Sequence, residues 1–232
     1  VFGKFNPYHD RLGRFTSAAE AGAVSPDKRG GRAMTYAQAK ERERQEKSAG
    51  IEQDVRSGFP VQIGTVDFFD KNAVLQQLKI GERAAETLGY EVNYRVTADG
   101  KVWKVSGRGA TVDPRAIPSS LKGSYSYHNH PAKDTWYSFS AEDAAFFIDT
   151  QEAYSKASDH RYQYVMKRTK ETAALSYDEV YNKFNQIFSE ETREKAWNEE
   201  IDMDFDGFHE TMKVLSRELE FEYERKKKEE IE

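Results

Sequence analysis

The sequence predicts an α+β fold: a small mixed sheet with flanking helices, followed by a C-terminal helical hairpin. Three observations predict it. Segments of alternating apolar and polar residues recur between residues 90 and 169, and Asp99-Gly100 between the first two is a strong hairpin signal. A run with helical character opens on a Ser-x-x-Asp between two of those segments. Residues 173–232 then repeat apolar positions at helical spacing within a charged background.

Each element has its own local cause. Residues 1–33 are rich in Gly, Ala, Ser and charge without a sustained period, and are expected to form an extended arm in which Phe2, Phe5, Tyr8 and Phe15 can anchor on a neighbouring surface. Residues 34–63 are expected to hold a polar helix from about Thr35, broken near Gly50 and ended near Gly58-Phe59-Pro60. The central domain is expected over 64–172. Its first helix, about 71–88, follows from the spacing of Val74, Leu75, Leu78, Ala84, Ala85 and Leu88, with Gly89 as the stop.

Strands near 90–97 and 101–107 flank the Asp-Gly turn, and "TVDPRAIPSSLKG" then suggests a turn or short helical piece. "SYSYHNH" is expected as a third strand and "RYQYVMKRT" as a fourth. "SAEDAAFFIDTQEAYSKA" between them is expected as a helix capped by Ser140. In residues 173–232, one helix presents Val180, Tyr181, Phe184, Ile187 and Phe188. A second, "FDGFHETMKVLSRELEFEYERKKKEE", is expected to present Phe208, Met212, Leu215, Leu219 and Tyr223, with "ERKKKEEIE" as its solvated, fraying end.

Bulk composition narrows the function classes. A formal charge of −5 and a pI near 5.7 give no general attraction to a phosphate backbone, so no nucleic-acid partner is expected. Absence of cysteine removes disulfides, thiolate nucleophiles and Cys-ligated zinc, leaving His, Asp and Glu to hold any metal. No apolar run approaches the ~20 residues of a bilayer-spanning helix, and the opening residues lack the basic-then-apolar plan of a secretory signal, so no membrane partner is expected. The chain opens on Val1 rather than Met, and sequence upstream is expected.

The chemistry concentrates in "YSYHNHPAKDTWYSFSAED", residues 125–143. Residues two apart in a strand share a face, so His128 and His130 present their imidazoles side by side. Pro131 cannot extend the hydrogen-bond ladder, which leaves the pair at a strand end. Asp143 falls at the third helical position after the Ser140 cap and can reach back toward the histidines. Two imidazoles, a carboxylate and a water make an open zinc set. A capping box explains Ser140 and Asp143 equally well without metal.

An acidic residue on a strand, then His-x-His-Pro, then Ser-x-x-Asp resembles the JAB/MPN domain with its JAMM metal motif. Such domains occur in deubiquitinating isopeptidases, RadC-like proteins and phage tail or head proteins. The stretch from Glu91 to Thr169, about 80 of the 232 residues, is similar in order: Glu strand, "DGKV", "HNHP", "FSAEDAAFF", "YQYVMKRT". The twelve residues between His130 and Asp143 are two more than the usual motif carries, as a longer turn before an intact Ser-x-x-Asp. "GRFTS" in the arm is similar to linker segments of phage Mu F-like minor head proteins and of polymorphic toxins.

The resemblance implies a JAB/MPN architecture related to the cytidine-deaminase fold, and a zinc ion bound by His128, His130, Asp143 and a water. It implies Glu91 as general base and later acid, with Glu82 and Glu86 as rivals in the preceding helix. Ser140 would be the donor to the oxyanion, and Asn129, facing away, would satisfy backbone groups. The implied reaction is hydrolysis of peptide or isopeptide amides in a protein or peptide substrate. The implied setting is a phage- or prophage-associated effector in a bacterial or host cytoplasm, virion-associated or delivered, with a partner or immunity protein on the C-terminal helices. The alternative is a noncatalytic module that keeps the fold as a structural or protein-interaction element of a phage head protein.

Other residues carry less. "His-Asn-His" invites an HNH-nuclease label, but those enzymes draw the three residues from separated positions, and the acidic charge opposes it. His9 and His160 have no ligand partner at suitable spacing. "DMDFDG" beside His209 resembles half a calcium loop without its closing Glu, and is expected as an acidic helix start. Trp136 and Tyr137 are expected to cover the turn; Lys133 and Asp134 face solvent.

Overall fold

The computed structural model describes residues 58–107, 112–131 and 137–228. Along the chain run β1 (Pro60–Thr65), α1 (Lys71–Ala85), β2 (Val92–Val96), β3 (Lys101–Ser106), a 3₁₀ turn (Pro114–Ala116), β4 (Tyr125–Asn129), α2 (Ala141–Asp149), β5 (Tyr154–Ser158), β6 (Tyr162–Lys167), α3 (Tyr177–Ile187), a π turn (Phe188–Thr192), α4 (Arg193–Trp197), α5 (Met203–Glu218) and β7 (Glu222–Lys227). All seven strands join one mixed sheet in the order β1-β3-β2-β4-β5-β6-β7, antiparallel except for the central β4–β5 pair. The fold is α+β, as the sequence predicts.

Local chemistry sets several of these boundaries. Asp70 caps α1 by accepting from the amides of Asn72 and Ala73. Gly100 turns the β2–β3 hairpin at φ +77°, where a Cβ would lie 2.6 Å from the Val66 carbonyl oxygen. Because β4 and β5 are parallel they need a crossover, and α2 supplies it.

Helices cover both faces of the sheet. On one face α1 buries Val74, Leu78 and Ala85 against Val92, Tyr94, Val96 and Tyr127. On the other, α2, α3 and α5 pack with Ala157, Tyr164 and Met166 of the sheet. Phe184 and Phe188 both meet Phe208 edge-on with ring centroids 5.2 Å apart, so the two long C-terminal helices pack together. Their apolar stripes, including Val180, Phe184, Met212 and Leu215, are consumed in the chain's own core.

Among the described residues seven strands stand where four are expected, and the differences have physical causes. Residues 60–65, read as the end of a polar helix and the start of the domain, form β1. Pro60 at its first position and mostly exposed side chains mark an edge strand. The helix expected from Ser140 through Ala157 stops at Asp149; Gln151 at φ +56° turns the chain, and 154–158 becomes β5. The helix expected over 205–230 stops at Glu218, Glu220 turns at φ +56°, and 222–227 becomes β7 rather than a fraying end. Helix 71–88 is shorter, ending at Ala85. The expected arm and the helix from Thr35 lie outside the described residues, as do Trp136, Lys133, Asp134 and His9.

Candidate metal centre

The register of β2 on β4 builds the site. Asn93 pairs with His128 and Arg95 with Ser126; just beyond that ladder the Val92 amide turns to the Asn129 side chain, and Glu91 sits within reach of the Asp143 charge. Glu91, Asn93, Arg95, Ser126, His128 and His130 therefore share the face that α2 covers. Pairing outlasts β4 by one residue, since the His130 amide donates to the Ser158 carbonyl at 2.8 Å. Pro131 then ends it, and the histidines sit at the mouth of the strand.

Asn129 points to the opposite side and closes the strand end. Its Oδ1 accepts from the Val92 amide at 2.8 Å, and its Nδ2 donates to the Tyr90 carbonyl at 3.0 Å. This is the backbone-satisfying part that the resemblance implies for it. Glu91 is held from the other flank, where its carbonyl accepts from the Gly107 amide at 2.7 Å.

Ser140 and Asp143 form a complete capping box. Asp143 Oδ2 accepts from the Ser140 amide at 2.9 Å and from its hydroxyl at 2.8 Å, while the Asp143 amide donates to Ser140 Oγ at 3.1 Å. The cap leaves Oδ1 turned to the histidines, 3.3 Å from His128 Nε2, with Oδ2 3.7 Å from His130 Nε2. The two Nε2 atoms are 3.0 Å apart. Capping and convergence on the histidines coexist in one carboxylate.

These separations fit a metal ion. A tetrahedral ion bonded at 2.0–2.1 Å holds its ligand atoms about 3.3 Å apart, within the spread found here. His128, His130 and Asp143 are a group of three that could hold a metal, with one ligand atom from each lying within 4.8 Å of the others. His128 is 6 % exposed against 15 % for His130 and 21 % for Asp143, so the group opens outward from a buried floor.

Electrostatics differ sharply between the two carboxyls. Burial opposes charge on Asp143, but His128 and His130 outweigh it and hold its carboxyl well below the usual range. Burial first, and then the negative charge of Asp143, push Glu91 well above the ordinary glutamate range. A buried carboxyl that holds its proton toward neutrality is suited to exchanging one with water or substrate.

The rivals to Glu91 lie elsewhere. Glu82 pairs with Lys156 at 2.7 Å and accepts from Gln163 at 2.7 Å, both of which point to the α1 side of the sheet. Glu86 is exposed, 3.8 Å from Lys228. Tyr137 is buried and stacks on Phe205, and His209 shares a hydrogen bond with Tyr223, so neither side chain is free.

One residue of the site face escaped the sequence reading. Asn93 is 3 % exposed, and its Oδ1 has no hydrogen-bond partner among the described residues. Its signal was present in the parity of the strand. Val92, Tyr94 and Val96 form the obvious apolar face, which makes Glu91, Asn93 and Arg95 look solvated, yet all three are buried. No protein-family model, curated protein or solved structure matches the chain.

Proposed function

We propose that this chain is a JAMM-type, zinc-dependent hydrolase of peptide or isopeptide amides. The observation that carries the reading is the convergence of His128, His130 and Asp143 at a strand mouth, with Glu91 buried within reach of the Asp143 charge. Bound by those three ligands, zinc would act as a Lewis acid and lower the pKa of its water to about 7.

The protein's own groups divide the remaining work. A cation held by Asp143 would offset the negative charge that helps keep the proton on Glu91, and the ionised Glu91 carboxylate then takes a proton from the attacking water as oxygen adds to the amide carbon. It returns that proton to the nitrogen as the C–N bond breaks, so the amine leaves neutral. Ser140 Oγ, which donates to Asp143 Oδ2, turns to donate to the oxyanion. The similarity of the "GRFTS" and "HNHP" segments to phage head proteins and toxins supports a phage-derived effector acting on protein in a bacterial or host cytoplasm.

Metal analysis with proteomic detection of new termini tests this. Wild type should carry about one zinc per chain, and His128→Ala and Asp143→Ala should carry none. Glu91→Gln should keep zinc and lose cleavage by roughly 10²- to 10⁴-fold. A zinc-free, inert wild type would instead favour the noncatalytic module, and undiminished cleavage by Glu91→Gln would remove Glu91 as the base.

A further inference from the structure

Asn93 and His128 are direct cross-strand partners on the covered face, a relation that sets Cβ atoms about 4.5–5.5 Å apart. On its other flank Asn93 pairs with Val105, whose side chain offers no donor. A buried carbonyl oxygen without a partner is costly and calls for a donor. The polar contacts of His128 among the described residues run through Nε2, to His130 and Asp143.

Tautomer chemistry links the two residues. Two imidazole nitrogens 3.0 Å apart need either a proton on one of them or a cation between them. A cation bound at Nε2 excludes that proton, so a neutral His128 must carry its hydrogen on Nδ1. Metal-bound histidines nearly always donate that second N–H to an acceptor, which fixes ring and tautomer. We infer that Asn93 is the positioning residue for His128, its Oδ1 accepting the Nδ1–H once a cation occupies Nε2. This rests on the metal reading of the site.

Arg95 is the competing donor, because its Nε is also buried and unpartnered among the described residues. Its guanidinium reaches the other way along the sheet. NH1 lies 2.8 Å from Ser124 Oγ and 2.6 Å from Glu152 Oε1, beyond the pairing of Arg95 with Ser126 and away from His128.

Zinc binding and the His128 tautomer decide the matter. In zinc-loaded, ¹⁵N-labelled wild type, long-range ¹H–¹⁵N spectra should show His128 metallated at Nε2 and protonated at Nδ1. Asn93→Leu should weaken zinc binding about 10- to 100-fold in chelator competition and shift that Nδ1–H resonance. The metal-free variant should melt no lower than wild type, since an orphaned oxygen is removed. Asn93→Asp, which keeps an acceptor, should stay close to wild-type affinity.

Metallation of His128 at Nδ1 in wild type overturns the assignment without recourse to any variant. So does an Asn93→Leu protein that binds zinc as wild type does, and a loss of metal-free stability alongside that unchanged affinity would identify Arg95 as the true partner. Wild type that takes up no zinc removes the metal reading, and this assignment with it.

Discussion

Asp143 answers two demands with one side chain. Oδ2 completes the cap of α2, and Oδ1 faces His128, so the helix start itself aims a ligand atom. Glu91 meets the opposite condition, a carboxyl that burial and a neighbouring negative charge keep from ionising easily. The linkage has a definite sign. The folded, metal-free protein binds the Glu91 proton more tightly than the unfolded chain does, whose value lies near 4.5. Stability from this group is therefore full below that pH and is lost as pH rises through the raised folded value. Glu91→Gln has no charge to bury, and should be more stable than wild type at neutral pH by a margin that closes toward about pH 4.5. Urea midpoints measured across that range check it; a margin independent of pH would contradict the buried-carboxyl account.

Between elements, close approach and pairing override local preference. Gly81 sits inside α1, where alanine would ordinarily gain about 1 kcal/mol. Here a Cβ would come within 2.5 Å of the Tyr94 ring, because the helix lies directly on β2. Gly81→Ala should therefore destabilise the protein by about 1–3 kcal/mol, as read by chemical denaturation, despite its better helix propensity. β7 makes the same point in reverse. Its charged, helix-prone residues form a strand because β6 offers a free edge, and because Phe221 and Tyr223 can alternate into the core while Glu222 and Glu224 face out. Arg225 then ties β7 to the chain just before the Ser140 cap, donating to the Tyr137 and Phe205 carbonyls and pairing with Asp206 at 2.7 Å.

Across the molecule, a buried ion pair fastens the middle of the sheet to the crossover. Arg95 on β2 meets Glu152, in the turn between α2 and β5, at 2.6 Å with both side chains about 1 % exposed. Ser126 of β4 also donates to Glu152 at 2.7 Å and Thr150 at the end of α2 donates at 3.4 Å, so two strands and the end of α2 share one carboxylate. Glu152→Ala leaves a buried guanidinium unpaired and should cost about 3–5 kcal/mol, whereas replacing Arg95 and Glu152 together by Met and Leu should recover most of that. Thermal or urea unfolding of the single and double variants measures the difference. Equal losses in both would show that packing, rather than charge, sets the cost.

What could be read from residue order was local. The Asp99-Gly100 hairpin, the Ser140 cap, the shared face of His128 and His130 and the stop at Pro131 depend on a few neighbouring residues, and so each appears in the sequence as a spacing. The three candidate ligands were legible for that reason, whereas Glu91 was singled out from Glu82 and Glu86 only through the family resemblance. Strands β5 and β7 were not, since each forms only where another strand presents unpaired backbone groups, a condition met by residues distant in sequence. Nor was the burial of Glu91, Asn93 and Arg95, whose alternation with Val92, Tyr94 and Val96 mimics a solvated face until α2 and its neighbours cover it. Strand pairing and burial are long-range effects, and they turn a row of polar residues into the floor of a site.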